Sequence, residues 1–192
     1  MSNYRLTDEQ RSLKEAARRF AENKLRPIAL ETERKGEAMP REALKLMAEN
    51  GYVGLDIPTE YGGLGLDIMG CAVVLEELSS VWFSASTNAM SLLTGPLLVF
   101  GTDEQKQNYL PAISSGNLLT AFALTETDAG SDASSIQTFA ARDGDDWVIN
   151  GRKIYITNGA RADLIVLFAR TDRDAPRGEG ITLFLIEKGA PG

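Results

Sequence analysis

The sequence predicts an α+β fold, an all-α helical domain over residues 1–116 followed by an antiparallel β-barrel or sandwich-like domain over residues 117–192. Three observations predict it. In the first part, apolar residues recur at helical spacing, as Leu13, Ala16, Ala17 and Phe20 do. After Ser115 the pattern changes to short runs rich in β-branched and aromatic residues, separated by the turn-forming stretches DAGSD, RDGDD, NG and DAPRGEG. The 192 residues, 43% of them hydrophobic, also suffice for the cores of one or two domains.

Each element has a local cause. TDEQ at Thr7–Gln10 is a capping box that opens a helix, which is expected to run to about Lys24 and break at Pro27, whose ring opposes continuation. Pro40 to Asn50 forms a second helix, with proline in its first turn and Gly51 in the cap position. Pro58, Gly62, Gly63 and Gly65 mark an ordered loop, and Asp67 caps the next helix. Ile68 to Leu78 is apolar on nearly every face and predicts a central buried helix. One helix is expected from about Ser86 to Phe100, and a second TDEQ box at Thr102–Gln105 opens another through Tyr109 to about Pro111. Strands follow at Leu118–Thr125, Ile136–Ala141, Trp147–Asn150, Lys153–Thr157, Leu164–Ala169 and Ile181–Glu187, with Asn150-Gly151 as a two-residue hairpin turn. DRDAPRGEG is expected to be a mobile surface loop.

Composition excludes several chemistries. The chain has no histidine, so Ser-His-Asp and Cys-His nucleophilic catalysis, HExxH zinc sites and imidazole bases are ruled out, and no metal site is expected. A net charge of −7 opposes binding to a nucleic-acid backbone. Its single cysteine, Cys71, sits in an apolar run and reads as a small core residue; without an intrachain disulfide, a reducing, cytoplasmic setting is expected. The first ten residues lack a leader pattern, and no stretch approaches the roughly 20 apolar residues of a membrane span. The mixed charges of RSLKEAARRFAENKLR and the pair Glu76-Glu77 read as solvated surface.

Two segments carry candidate chemistry. LLTAFALTETDAGSD, Leu118 to Asp132, joins an apolar strand to a loop whose Ala129, Gly130 and Ser131 let backbone N–H groups approach an anion, although the same residues suit an ordinary connection. In INGRKIYITNGARAD, Ile149 to Asp163, strand alternation puts Tyr155 and Thr157 on one face, an aromatic beside a hydroxyl donor; both are also simply good strand formers.

In this order and spacing, TETDAGSD resembles the TEPGAGSD signature of the acyl-CoA dehydrogenase family, and KIYITNG resembles its K-x-W/Y-ITNG signature. GLDIPTEYGGLGLD and FGTDEQKQNYLPAISSGNLLTAFALTE resemble the family in two further places, so the likeness covers nearly the whole chain. The resemblance implies FAD as cofactor, held by the stretch Phe122 to Ser131 through main-chain amides around Leu124 and Thr125 and the Thr125 hydroxyl. Gly130 and Ser131 match the pyrophosphate contacts, with Ser131 also touching the pantetheine arm of an acyl-CoA substrate. Tyr155 matches the aromatic packed on the isoalloxazine, and Thr157 the hydroxyl bonded to its hydride-accepting nitrogen, with Ile156 between them. Met90 and Leu92 match a region lining the acyl pocket, although core packing suits both equally.

The resemblance further implies α,β-dehydrogenation of an acyl-CoA thioester, an electron-transfer flavoprotein as acceptor, and a homotetramer or dimer. Thr127-Asp128 departs from the usual Pro-Gly, and DRDAPRGEG lacks the serine with which some members hold the CoA diphosphate. The family's catalytic base, usually a glutamate, belongs to a C-terminal helical bundle expected to lie beyond this sequence. Glu126 and Asp132 are the nearest acids to the motif and read as supporting loop residues instead. Two alternatives stay open: a monooxygenase or oxidase of the same fold, and a non-catalytic partner subunit or truncated paralogue.

Overall fold

A computed structural model describes residues 5–191; Met1–Tyr4, where the leader reading begins, lie outside it. The chain divides into two compact units, Met1–Asn117 and Leu118–Gly192.

The first unit is helical: α1 Asp8–Phe20, α2 Arg26–Lys35, α3 Arg41–Glu49, α4 Ile68–Val81, α5 Phe83–Ala89, α6 Thr94–Phe100 and α7 Asp103–Ser114. Both capping boxes form, with the Thr7 and Thr102 hydroxyls accepting from the N–H groups of Gln10 and Gln105 at 3.1 and 3.2 Å, and both glutamine side chains accepting in return. Asp67 caps α4 by accepting from the Gly70 N–H at 2.6 Å. α1 packs on α4, burying Ala17 and Phe20 on one side and Val74 and Leu78 on the other, and the Phe20 ring meets Tyr52 at 4.5 Å. Cys71 is buried, as the sequence predicts, and burial pushes its thiol pKa up.

Four expectations for this unit are corrected. The first helix does not break at Pro27. A single π-helical turn, Ala21–Leu25, widens the ladder so that the Arg26 N–H bonds the Ala21 carbonyl, and Pro27 enters α2 in its first turn, where a missing N–H costs little. The Ser86–Phe100 helix is two helices. Met90 takes an extended conformation (φ −118°, ψ 95°), and the Ser91 hydroxyl accepts from the Leu93 N–H at 3.2 Å, starting a new turn. α7 runs past Pro111 to Ser114. Glu77 is not solvated. It is buried and accepts a two-pronged bond from Arg18 at 2.8 and 2.9 Å, with Lys14 3.5 Å away, so two cations of the supposedly solvated α1 face bind it.

The second unit is one five-stranded sheet: β1 Thr120–Ala123, β2 Phe139–Asp143, β3 Asp146–Asn150, β4 Leu164–Arg170 and β5 Ile181–Glu187. Its order is β1–β4–β2–β3, with β5 paired to β4. The sheet is mixed, not antiparallel. β1 and β2 run parallel to β4, while β2–β3 and β4–β5 are antiparallel. The parallel pairing follows from a clamp at the strand starts, where the Leu119 N–H donates to the Asp163 carboxylate at 2.8 Å and the Asp163 N–H returns a bond to the Leu119 carbonyl at 2.7 Å. The β2–β3 hairpin turns at Gly144 (φ +63°), between Asp143 and its partner Asp146.

Asn150-Gly151 is therefore no hairpin turn; neither residue takes the positive φ that such a turn demands. Gly151 is needed for close approach instead, since a Cβ there would lie 2.3 Å from the Thr138 Oγ1. Nor is Lys153–Thr157 a strand. Its backbone leaves the sheet and bends at Tyr155. Among the described residues no helix is long and apolar enough to cross a membrane.

Candidate functional site

The two motif segments lie side by side. After β1, Leu124 and Thr125 leave the sheet, and the chain folds back at once: the Glu126 and Ala129 backbones exchange hydrogen bonds of 3.0 and 3.2 Å around an exposed Thr127-Asp128 tip. The two residues that depart from the family signature thus sit at the outermost point of a tight turn. Beyond it, Gly130 and Ser131 are exposed, and a Cβ at Gly130 would meet nothing within 4 Å. Asp132 then pins the chain, accepting bonds from the Ser134 and Ser135 hydroxyls and the Arg177 guanidinium. These donors, the hydroxyls first, hold its carboxyl well below the usual range. Arg177 ties part of the DRDAPRGEG stretch to this loop, with its Nε 2.9 Å from the Ser134 hydroxyl.

The second segment is fastened to the first by several bonds. The Ile154 N–H donates to the Thr125 carbonyl at 3.0 Å, the Asn158 amide to the Thr120 carbonyl at 3.2 Å, and the Lys153 ammonium to the Leu124 carbonyl at 2.9 Å. Lys153 also pairs with Glu126 at 2.7 Å, both side chains being 8% exposed. Glu126 in turn accepts from the backbone N–H groups of Gln137 (2.5 Å) and Thr138 (2.9 Å). Burial by itself raises the Glu126 pKa, but the bonds from Lys153, Thr138 and Gln137 together outweigh it and bring the carboxyl down to about 2.

Leu124, Thr125, Ile154 and Tyr155 are thereby neighbours. Tyr155 is 91% exposed and holds a left-handed backbone at φ +56°, an arrangement that costs on the order of 1–2 kcal/mol for a non-glycine residue. Tyr155 and Thr157 do not share a strand face, because there is no strand there; Thr157 is exposed and Ile156 half-buried. Phe122 lies on the sheet face of Val166, with its ring 4.9 Å from Phe168. The opposite face carries a concavity of about 680 Å³, lined by Ala123, Thr138, Lys153, Ile156 and Leu167 among others. Ile156 thus faces a different side of the sheet from Phe122. In the helical unit, Met90 and Leu92 flank the buried Ser91 and are themselves exposed.

The backbone N–H groups of Thr125, Gly130 and Ser131 have no acceptor among the described residues, and neither do others of the loop such as those of Thr127 and Asp128. Donors left open on a short, tightly held loop can serve an anionic ligand without rearrangement. No group of acidic side chains or Cys71 forms a metal site among the described residues. The sequence did not single out Lys153, which stands beside Arg152 at the head of the apolar run IYI and carries no local signal that it finds a buried partner.

Residues 7–117 match the model of the acyl-CoA dehydrogenase N-terminal domain, and residues 121–192 match that of the acyl-CoA dehydrogenase middle domain. The chain belongs to the acyl-CoA dehydrogenase family. It is 42% identical to a short-chain specific acyl-CoA dehydrogenase of Clostridium acetobutylicum, over 99% of this chain and 50% of that protein. Among solved structures, an acyl-CoA dehydrogenase from Geobacillus kaustophilus superposes with a TM-score of 0.90 at 37% identity, covering 100% of this chain and 51% of that one. A Mycobacterium smegmatis glutaryl-CoA dehydrogenase in complex with FADH2 does so with a TM-score of 0.84 at 30% identity, over 97% and 47%. The chain therefore spans about half the length of these acyl-CoA dehydrogenases.

Proposed function

We propose that this chain carries the FAD-holding half of an acyl-CoA dehydrogenase site, and that the whole protein oxidises an acyl-CoA thioester to the trans-2-enoyl-CoA. The observation that carries this reading is Tyr155, a large aromatic side chain left almost wholly exposed on a strained backbone, fastened through Ile154 to the loop with the open N–H donors. Bound FAD would supply the two-electron acceptor of the reaction.

The residues fit that group. Thr125 and Thr157 offer hydroxyls, and Tyr155 offers a flat apolar surface. The N–H groups of Gly130 and Ser131, with open space where a Cβ would stand on Gly130, suit the close approach of a pyrophosphate. Leu124 joins the cofactor set, while Phe122 and Ile156, on opposite sides of the sheet, are assigned to it from the family resemblance alone. Ser131 also faces the pantetheine arm, and Met90 and Leu92 serve the acyl chain from the helical unit.

Neither local acid can remove the substrate α-proton. Glu126 is fully engaged, and at a pKa of about 2 it is a poor base at neutral pH. Asp132 is held down in the same way. This reading assigns proton removal to a carboxylate outside these 192 residues, and gives the whole protein a homotetrameric or dimeric state and an electron-transfer flavoprotein as acceptor.

The test is a fluorescence titration of the purified chain with FAD, followed by dye reduction with butyryl-CoA. We expect saturable but weak binding, lost on gel filtration, and no turnover; Tyr155→Ala and Thr157→Ala should each weaken binding further. Absence of saturation overturns the FAD reading. A yellow chain that reduces the dye overturns the assignment of proton removal to residues elsewhere.

A further inference from the structure

The Lys153 side chain is only 8% exposed, yet its ammonium gives one hydrogen bond to a backbone carbonyl, that of Leu124 at 2.9 Å, as well as pairing with Glu126 at 2.7 Å. In a trans peptide the carbonyl and the N–H of the next residue point in opposite directions. A cation that holds the Leu124 oxygen therefore fixes the direction of the Thr125 N–H, and no acceptor among the described residues takes that N–H. The neighbouring peptide is fixed as well, because the Thr125 carbonyl accepts from Ile154 at 3.0 Å. Only the Thr125 N–H of this pair is left pointing away from the chain's own partners.

Resting on the FAD reading above, we infer that Lys153 is a positioning residue that turns the Thr125 N–H toward the cofactor and strengthens it as a donor, while Glu126 holds the lysine in place. A positive charge on the carbonyl end of a peptide polarises the whole unit, so its N–H becomes a stronger donor, most of all toward an anion. Reduction puts negative charge on the cofactor, and Lys153 therefore favours the reduced form without touching it. Glu126 belongs to the same device. Its two backbone bonds to Gln137 and Thr138 anchor it to the chain leading into β2, and from there its carboxylate fixes the ammonium.

The experiment compares the affinity of the chain for oxidised FAD and for dithionite-reduced FAD, measured by anaerobic titration. Lys153→Met leaves a buried carboxylate unpaired and risks unfolding, so Lys153→Met/Glu126→Gln, which removes both charges and keeps an acceptor for one of the two backbone N–H groups, is measured beside it. We expect about threefold weaker binding of oxidised FAD and about tenfold weaker binding of reduced FAD in the folded variants, with Lys153→Arg recovering part of the difference. A merely structural lysine would lower both affinities by the same factor. Equal losses, or none, overturn the inference and leave the FAD reading intact; a parent chain that saturates with neither form overturns that reading itself.

Discussion

Two buried glutamates, one in each unit, show how the same chemistry serves different ends. Glu77 on α4 is held by Arg18 and Lys14 of α1, side chain to side chain, and Arg18 remains 60% exposed. Glu126 is held by two backbone N–H groups and by Lys153, which is only 8% exposed. The first fastens one helix to another at the rim of a core, where water screens part of the attraction. The second lies out of water and is wired to the main chain on either side of the motif loop, so it sets backbone direction as much as it adds stability.

The sharpest way to break the comparison is to remove one member of each pair. Lys153→Met leaves Glu126 buried without its counter-charge and should destabilise the sheet unit by about 3–5 kcal/mol, read as a lowered denaturant midpoint. Acid comes next. The Glu126 pKa falls from 4.5 to about 2 on folding, so its contribution of roughly 3 kcal/mol is fully present above pH 4.5 and fades as pH falls toward 2. Glu126→Gln should flatten that part of the stability curve and converge with the parent near pH 2; an unchanged acid limb would show that the pair does not control it. Glu77→Gln should cost less, about 2 kcal/mol, and the loss should shrink in 1 M salt, whereas that of Lys153→Met should not. Smallest is Tyr155→Gly, expected to stabilise by about 1 kcal/mol by relieving the positive φ while weakening FAD binding. A variant that gained neither stability nor lost affinity would remove Tyr155 from the proposed site.

Legibility in the sequence followed the range of the interactions. Helix starts were readable because caps are local: Thr7 and Gln10, Thr102 and Gln105, and Asp67 each satisfy neighbouring N–H groups within three residues. What failed was decided by distant partners. KIYIT alternates like a strand, but Ile154 bonds sideways to Thr125 and Tyr155 flips out. Asn150-Gly151 has hairpin composition, yet Gly151 is spent on its approach to Thr138. The mixed sheet depends on Asp163 meeting Leu119, and no periodicity reports that. At the candidate site, the residue types could be read, but the ion pair that fastens their segments together could not. The lysine and the glutamate come from separate parts of the chain, and only the fold makes them neighbours.

The π-helical turn at Ala21–Leu25 has a consequence for angular phase. Ala17, Ala21, Leu25 and Ala29 are all buried and recur every fourth residue. On a regular helix of 3.6 residues per turn, such a stripe would creep around the axis by about 40° at each step and carry Ala29 off the core side. The wider turn absorbs that drift and keeps the stripe straight across α1 and α2. Deleting one residue between Ala21 and Leu25 would restore ordinary winding and leave Ala17 and Ala29 about eleven residues apart, so the stripe would stay within about 20° of its line, but Pro27 would then sit inside an unbroken helix and lose its tolerated place.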